Sequence, residues 1–423
     1  MDMVTDGDIR PAATRLGVAG VILAMALAAV GNGLMFAYIP VRLNGSGYDP
    51  TWAGLILTGL SAGGIAGCLL TAWLVRRVGH ARAYMVFTAV IVLSNATVGA
   101  GIDPVVWIGA RAMYGFAICG MFVVAQSWLN DAVDNSVRGR IMAIFYVAYM
   151  VGLGAGSSLM GLLDIDTVQA PLLGIVFAAL SILSVGLTRL PQPPPPPGAS
   201  VAIAEAWRIS PVGLAGMLAV GGLSMMIGGF APIHVTANGF TQQQVAMLMA
   251  AVPLGTLLFQ IPFGWISDRT DRRYVLLAAA LIVAVAGMAA FGLDGSALVI
   301  LIPVYVVWSG ASESIYSLAS AHANDRATKE QMVRLSGTML LVWSVSGFIV
   351  PGIGTALTAA FGTQSFMVVA VVIALGYAGF VVYRIGRTPA VPPEESAPFT
   401  PLSAQAPPPA PAPEEGDQPL PGR

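Results

Sequence analysis

Two ionisable side chains, Arg111 and Glu313, lie deep inside long apolar stretches of the sequence. A charged group at the depth of a lipid bilayer is costly, so a residue of this kind is by default a candidate for function. Glu313 is the only carboxylate at that depth, and we expect it to take up and release a proton. We expect Arg111 to contact a solute. For both residues the alternative is structural, a hydrogen bond to the backbone or to a neighbouring helix.

Helical spacing groups polar and aromatic side chains with these two residues. With a step of about 100° per residue, a polar and aromatic stripe occupies an arc of about 140° around the helix of Glu313. A polar face in contact with lipid is unfavourable, so we predict that this stripe lines a cavity. The stripe consists of Tyr305, Trp308, Ser309, Ser312, Glu313, Tyr316 and Ser320, and the same spacing aligns Arg111, Tyr114, Gly115, Phe122 and Gln126.

From these faces we select the candidate substrate-binding residues. They are Arg111, Phe122, Trp308, Ser312 and Tyr316, with Asn32 as a weaker candidate. A guanidinium beside aromatic rings suits a small organic molecule that is anionic or accepts hydrogen bonds. The alternative is a lipophilic cation held in an aromatic cavity, with Glu313 as its counter-charge.

The elements that position these residues are membrane spans. The chain has 423 residues, 56% of them apolar and 10% charged, with a mean hydropathy of +0.78. Soluble domains carry about 25% charged residues, so the composition excludes a soluble enzyme, a nucleic-acid binder and a disordered protein. Apolar runs of about 20 residues, long enough to cross a bilayer, recur almost to Arg387. We therefore predict an all-α membrane protein.

Twelve spans can be delimited between charged or Pro/Gly interruptions. We expect residues 1–15 to precede them, residues 16–190 and 211–387 to form two six-helix halves, and residues 191–210 to connect the halves. The expected spans are Leu16–Tyr38, Trp52–Val75, Ala83–Gly101, Val105–Asn130, Ile141–Leu163, Ala170–Thr188, Pro211–Ile233, Val245–Ser267, Tyr274–Leu293, Ala297–His322, Leu335–Ala360 and Ser365–Tyr383. We number them one to twelve.

The basic residues are distributed unequally between the two sides of the membrane. Of the 20 Lys and Arg residues, 18 fall on one side, Arg42 falls on the other and Arg111 lies within a span. Because cytoplasmic loops carry an excess of Lys and Arg, we expect both termini in the cytoplasm. The localisation we expect is a bacterial inner membrane.

Two segments lack an apolar face. Pro193 to Pro197 form an unbroken proline run within the connecting segment, and residues 388–423 contain twelve prolines. We interpret the first as a stiff cytoplasmic linker and the second as a disordered cytoplasmic tail. A tail that acts as a proline-rich ligand for a partner domain is the alternative.

The two halves are internal repeats. A shift of 192 residues places Pro40 on Pro232, Gly47 on Gly239, Tyr48 on Phe240, Gly63 on Gly255, Trp73 on Trp265 and Arg77 on Arg269. Gln126 corresponds to Glu313 after a slip of five residues. Two parallel repeats imply a pseudo-twofold axis along the membrane normal, with a site at the interface between halves.

With these features the chain resembles the major facilitator superfamily over residues 10 to 387. The superfamily loop signature G-x-x-x-D-R-x-G-R-R is similar to residues 264–273, where Asp271 replaces the second glycine. The first-half loop has Arg76 in place of the acid, followed by Arg77. Arg111 to Gly115 is similar to the R-x-x-x-G element. Residues 126–130 and 138–140 resemble a bacterial branch, the YcaD-like permeases, which tend to have Glu in place of Gln126.

The resemblance implies a fold and a set of roles. It implies the twelve-helix fold of that superfamily, with spans one, four, seven and ten around a central cavity, and transport by alternating access. In the superfamily the acid of the signature caps a neighbouring helix and pairs with arginine, which locks the outward-facing state. The residues it assigns to this conformational lock are Asp268, Arg269, Gly264 and Arg77.

Several functional classes remain to be compared. The sequence has no P-loop for ATP, which favours a secondary active transporter over an ATP-driven one. We expect it to move a small organic solute and to be coupled to protons. The alternatives are an efflux permease for drugs or metabolites, a membrane-embedded enzyme and a non-transporting sensor on the same scaffold. We expect no enzymatic activity, no cofactor, no metal site and no nucleic-acid partner. The expected partners are a small-molecule substrate, a proton or other coupling ion and the lipid bilayer, and we expect a monomer.

Overall fold

The protein is an assembly of long helices. A computed structural model describes residues 12–133, 135–188, 201–293, 298–389, 391–392 and 399. No β-strand occurs among these residues, and twelve of their helices are long and apolar enough to cross a membrane. The first half contains helices Ala12–Gly45, Pro50–Val78, His80–Gly99, Pro104–Ala132, Asn135–Met160 and Gln169–Gly186, which are spans one to six.

The second half repeats this series. Span seven is made of two α-helical parts, Pro211–Met225 and Ala231–Ala237, joined by a π-helical turn, Met226–Phe230. Spans eight to twelve are Gln242–Ser267, Arg272–Phe291, Leu298–Asn324, Lys329–Phe361 and Ser365–Ile385. The proline run and most of the tail lie outside the described residues, whereas the end of the connecting segment contains a short helix, Ile203–Ile209.

Local sequence signals explain where several helices begin. The carboxylate of Asp49 accepts a hydrogen bond from the Thr51 N–H immediately before Pro50, and Asp103 caps span four in the same way before Pro104. Capping residues satisfy N–H groups that have no partner within a helix, and proline fits the first turn because it lacks an N–H. Hydrogen bonds from Thr51 hold the pKa of Asp49 below its usual value.

Two spans extend beyond the ends that were expected from the sequence. Span one continues past Tyr38 and through Pro40 to Gly45, and span seven contains Pro232 and continues past Ile233 to Ala237. Proline is tolerated in membrane helices because the freed backbone groups find other partners. In span seven the π-helical turn directly precedes Pro232, and such turns often relax helices interrupted in this way.

The repeat is visible in the turns that follow spans one and seven. Gly47 and Gly239, which are 192 residues apart, have φ angles of 79° and 82°. Such angles are accessible to glycine at no steric cost, which explains why glycine stands at both positions. Beside these turns, Asn44 donates a hydrogen bond to the carbonyl of Thr236, also 192 residues away, at 3.5 Å.

The halves share one packing scheme. In the first half, span two packs on span four, and span one packs on spans five and six. In the second half, the equivalent spans make the same contacts: span eight packs on span ten, and span seven packs on spans eleven and twelve. Glycines allow the close crossings: a methyl group at Gly63 would lie 1.8 Å from the Ala112 carbonyl, and one at Gly255 would lie 2.1 Å from the Val306 carbonyl. Small residues commonly permit such contacts between membrane helices. The halves meet mainly where span five packs on span eight and where span two packs on span eleven.

Candidate functional site

A central cavity lies between the two halves. It consists of two adjoining chambers whose empty space, with the open solvent at their mouths included, is about 580 Å³ and 820 Å³. Both are lined by Asn32, Phe36, Met225 and Trp343. The larger chamber adds polar side chains to an otherwise apolar wall, and these are Ser157, Ser224, Thr256, Ser309, Glu313 and Tyr149.

Glu313 lies on the wall of the larger chamber, as the sequence analysis expects of it. Its Oε1 accepts a hydrogen bond from the hydroxyl of Ser224 on span seven. Ser309, one turn before Glu313, also lines the chamber and donates a hydrogen bond to the Val252 carbonyl of span eight at 2.7 Å. A buried carboxylate at a cavity wall can exchange a proton with that cavity or attract a cationic group.

Two polar atoms of the cavity wall have no hydrogen-bond partner within the part of the chain that the structure describes. These are the carbonyl oxygen Oδ1 of Asn32 and the ring nitrogen Nε1 of Trp343. The Nδ2 of Asn32 donates a hydrogen bond to the Tyr149 hydroxyl at 3.2 Å, which orients the amide. A buried polar atom without a partner is costly, so this acceptor and this donor are suited to a ligand.

Arg111 lies in a separate small cavity of about 320 Å³ with an otherwise apolar wall. Its guanidinium carbon is 4.0 Å from the centre of the Tyr114 ring and 5.7 Å from that of Phe36. These aromatic faces stabilise the cation through their quadrupoles. Phe36 lines this cavity and both central chambers, and Leu60 lines this cavity and the smaller chamber, so these two side chains lie between the Arg111 cavity and the central one.

The structure corrects the position of four other predicted binding residues. Trp308 stacks on Phe366 of span twelve at 5.8 Å with nearly parallel rings, and Phe122 packs edge-on against Tyr149. Tyr316 packs edge-on against Trp343. These three side chains and Ser312 are fully buried and lie outside the wall of the two central chambers.

The physical reason for this correction is the central position of span ten. Between Tyr305 and Ala323 nearly all of its residues are buried, so polar and apolar faces alike contact other helices. Residues of span ten that helical spacing places on one stripe can therefore have different surroundings in the folded protein. Ser309 and Glu313 face the cavity, whereas Trp308 faces span twelve.

Several residues of the cavity wall were not predicted from the sequence. The expected wall comes from spans one, four, seven and ten, whereas spans two, five, eight and eleven also contribute to it. Trp343 and Ser224 are the most important of the missed residues. The available signal was a hydroxyl side chain within an apolar run, at Ser224 and at Ser344 beside Trp343, because a polar group at membrane depth commonly bonds to another helix.

One face of the cavity is closed by contacts between the halves. The Nε2 of Gln242, at the start of span eight, donates hydrogen bonds to the carbonyls of Met160 and Leu163 at 2.6 and 2.7 Å. Gly54 of span two approaches Thr355 of span eleven so closely that a methyl group there would lie 2.4 Å from the threonine oxygen. We call this the closed face. The other face carries the loop between spans eight and nine, and we call it the arginine-rich face.

The loop signature on the arginine-rich face forms a charge network different from the expected one. Asp268 pairs with Arg272 at 3.3 Å and not with Arg269, and Arg272 also pairs with the buried Asp325 at the end of span ten at 2.7 Å. Arg269 instead donates to the Trp265 carbonyl and lies over the Trp265 ring at 4.2 Å. In this structure Asp268 and Arg269 therefore do not pair, because the Arg269 side chain lies on the exposed side of span eight, over Trp265.

The first-half loop reproduces part of this arrangement. Arg77 lies over the ring of Trp73 at 5.6 Å, and these residues correspond to Arg269 and Trp265 in the repeat. Both tryptophans are more than half exposed at the surface of the protein. Tryptophan is enriched at membrane interfaces, so these two pairs are suited to anchor spans two and eight at the same depth.

The loop signature also holds part of the tail. The backbone N–H of Phe399 donates to the Asp268 carboxylate at 2.9 Å, and a methyl group at Gly264 would lie 2.2 Å from its ring. Arg273 donates to the Thr388 carbonyl at 2.7 Å. Burial of Asp271 opposes its ionisation, but hydrogen bonds and the charge of Arg273 outweigh it and hold the pKa of Asp271 below its usual value.

Metal binding has no support in the described residues. No group of three or more His, Cys, Asp or Glu side chains that could hold a metal ion occurs in that part of the chain.

Comparison with known proteins identifies the family. The model of the Major Facilitator Superfamily matches residues 21–212 and again residues 212–413. YcaD of Salmonella dublin, described as an uncharacterized transporter of the superfamily type, is 22% identical over 348 residues, which cover 80% of this chain and 88% of that protein. This finding confirms the resemblance to the YcaD-like branch.

Solved structures agree with the fold. The nucleoside transporter NupG has a TM-score of 0.71 at 11% identity and covers 86% of this chain and 99% of its own. A bacterial homologue of the human lysosomal transporter Spinster, inward-facing and unoccupied, has a TM-score of 0.71 at 15% identity and covers 88% of this chain and 97% of its own. Twelve spans in two matching halves around a central cavity, each half matched by the family model, establish that this chain is a membrane transporter, not an enzyme, of the Major Facilitator Superfamily.

Proposed function

We propose that this transporter moves a small organic solute through the central cavity by alternating access, driven by a proton gradient. The observation that carries the proposal is the cavity between the halves with Glu313 on its wall. Ser224 of span seven donates to this carboxylate, so protonation of Glu313 removes charge at a contact between two spans of the second half. A proton taken up there changes the charge of the cavity in which the solute binds.

The charge of the wall favours a neutral or cationic solute. Glu313 is the one ionisable Asp, Glu, Lys or Arg side chain among the residues that line the two described chambers. Arg111 has its own cavity and contacts aromatic rings. Of the two solute classes that the sequence leaves open, the lipophilic cation therefore fits this wall better than an anion. Efflux of such cations is the second candidate function that this observation favours.

We infer that the arginine-rich face is cytoplasmic and that the membrane is a bacterial inner membrane. The support is the excess of arginine on that side of the sequence. In that orientation the closed face is periplasmic, and the cavity of this structure is closed to the outside by Gln242 and its partners. A green fluorescent protein fused to the C-terminus tests the orientation, because it fluoresces only when that end stays in the cytoplasm.

Two dyes with related ring systems and opposite charge test the solute class. The full-length chain is reconstituted in vesicles with an imposed pH gradient, and movement of rhodamine 6G, a cation, is compared with that of carboxyfluorescein, an anion. We expect gradient-driven movement of the cation only. Movement of the anion alone would contradict the proposed solute class.

The variant Glu313→Gln tests the role of the carboxylate. We expect gradient-driven accumulation of the cation to fall to the level of empty vesicles, because glutamine cannot take up a proton. Glu205→Gln is the matched control, since Glu205 pairs with Arg334 outside the cavity at a half-exposed position. Full accumulation by Glu313→Gln would refute proton coupling through this residue.

A further inference from the structure

The two cysteines of the chain meet at one point of the fold. Cys68 on span two and Cys119 on span four are 51 residues apart, and the chain contains no other cysteine. Their sulfur atoms are 2.8 Å apart. Each lies in an apolar run of the sequence, where a cysteine commonly behaves as a small buried apolar residue, but the tertiary structure makes the two neighbours.

A close helix crossing holds the two cysteines in place. A methyl group at Gly67, next to Cys68, would lie 2.5 Å from the Phe116 carbonyl and 3.0 Å from the β-carbon of Cys119. One at Gly115 would lie 1.8 Å from the Leu60 carbonyl. The backbones of spans two and four therefore cross closely at this point, which keeps the backbones of the two cysteines near each other.

The hydrogen atoms of this cluster can be assigned from its partners. The Ser344 hydroxyl donates to the Leu340 carbonyl at 2.9 Å, so it accepts in its contact with the Cys68 sulfur at 3.4 Å. Because the Ser344 hydrogen is used on Leu340, we assign the thiol hydrogen of Cys68 to the contact with Ser344 and that of Cys119 to the contact with the Cys68 sulfur. Because Ser344 belongs to span eleven, the thiol hydrogen of Cys68 links the first half of the protein to the second.

The cluster is accessible from the central cavity. Cys119 and Ser344 both line the smaller chamber, together with Ser61 and Met225. A peroxide molecule is small enough to enter a chamber of about 580 Å³. An S–S bond is about 2.0 Å long, so the two sulfur atoms need only a small side-chain adjustment to bond.

We propose that Cys68 and Cys119 form a dithiol couple that a hydroperoxide converts to a disulfide, and that oxidation removes the hydrogen bond from Cys68 to Ser344 between the two halves. One sulfur, as the thiolate, attacks a peroxide oxygen, an S–O bond forms and the O–O bond breaks. The leaving hydroxide takes up the thiol proton as water.

The second sulfur completes the reaction. It attacks the sulfenic acid, the S–S bond forms, the S–O bond breaks and a second water leaves with the remaining thiol proton. Two thiols and one hydrogen peroxide thus give one disulfide and two waters. The Cys68 sulfur then has no hydrogen to donate to Ser344.

The proposed dithiol couple of Cys68 and Cys119 is tested by measuring the intact mass of the protein after alkylation. The full-length protein in detergent is treated with hydrogen peroxide, then denatured and alkylated with N-ethylmaleimide. We expect two adducts before oxidation, none after it, a mass lower by two hydrogens, and two adducts again after dithiothreitol. Two adducts after peroxide, or oxygen atoms added to one cysteine, would overturn the proposal. Cys119→Ser is the control, because its single thiol cannot close the bond and gains oxygen instead.

Hydrogen exchange tests the link between the halves. We expect the amides of span eleven around Ser344 to exchange faster in the oxidised protein than in the reduced one. Ser344→Ala lacks the acceptor, so its reduced form should already exchange faster and should not respond to peroxide. Equal exchange in reduced and oxidised wild-type protein would overturn the proposed link.

Discussion

Individual residues of the cavity divide into those that have internal partners and those that do not. The amide nitrogen of Asn32 donates a hydrogen bond to the Tyr149 hydroxyl. The amide oxygen of Asn32 and the ring nitrogen of Trp343 have no hydrogen-bond partner among the described residues. Glu313 accepts from Ser224. The cavity therefore offers a ligand one acceptor, one donor and one carboxylate on a wall that is otherwise mostly apolar.

The donor on Trp343 should contribute to ligand affinity. Trp343→Phe removes the ring N–H together with one of the two fused rings, but it keeps an aromatic side chain beside Tyr316. We expect affinity for rhodamine 6G, which carries an ester carbonyl, to fall by about fivefold to tenfold, because one hydrogen bond contributes about 1 kcal/mol. Fluorescence anisotropy of the dye measures this change. Trp207→Phe is the control, since the Trp207 ring packs in a tilted arrangement against Phe380 outside the cavity. An equal loss in both variants would contradict the role of Trp343.

At the scale of elements, the glycines of spans two and four determine how closely these helices cross. Gly115 faces the Leu60 carbonyl, whereas Gly109, on the same helix, has no atom within 4 Å of the position its β-carbon would take. The two glycines therefore differ in their surroundings although they share a helix.

Gly115→Ala should destabilise the protein and Gly109→Ala should not. We expect the first to lower the free energy of unfolding by about 1–3 kcal/mol, because the added methyl group forces the helices apart. The second should be neutral or slightly stabilising, since alanine lowers the entropy of the unfolded chain. Thermal unfolding in detergent measures both variants, and equal midpoints would show that the crossing tolerates a larger residue.

At the scale of the whole molecule, the relative position of the two halves depends on a few contacts on the closed face. Gln242 contributes two hydrogen bonds there, and Asn44 contributes one to Thr236. On the arginine-rich face, the ion pairs of Arg272 stay within the second half. Arg272 pairs with Asp268 in the loop between spans eight and nine and with Asp325 at the end of span ten. The contacts of Gln242 cross between halves and must break if the closed face opens.

Gln242→Ala should shift the protein toward opening of the closed face. Two hydrogen bonds contribute about 2 kcal/mol, so we expect the opening equilibrium to change roughly thirtyfold. Hydrogen exchange of residues 161–168 measures it, because this loop contains the bonded Leu163 carbonyl. Gln243→Ala is the matched control at the neighbouring exposed position, and exchange that is equally fast in both variants would contradict the role of Gln242.

The sequence by itself determined the class, the number of spans and the repeat. Bilayer thickness imposes a minimum length on every apolar helix, so the lengths of the apolar runs are enough to count twelve spans. The conformation of a turn also depends mainly on its own residues. Gly47 and Gly239, which are 192 residues apart in the repeat, both adopt a positive φ. Helix ends were less predictable, because Pro40 and Pro232 interrupt the pattern without ending the helices.

Only the tertiary structure decided which side chains face the cavity. Span ten is buried nearly all round, so helical spacing could group Trp308 with Glu313 but could not tell that one contacts Phe366 and the other the cavity. Cys68 and Cys119 meet because two helices cross, and no feature of either span alone indicates that crossing. Contacts between distant segments depend on how helices are placed against one another, and hydrophobic periodicity carries no information about that placement once every face of a helix is covered.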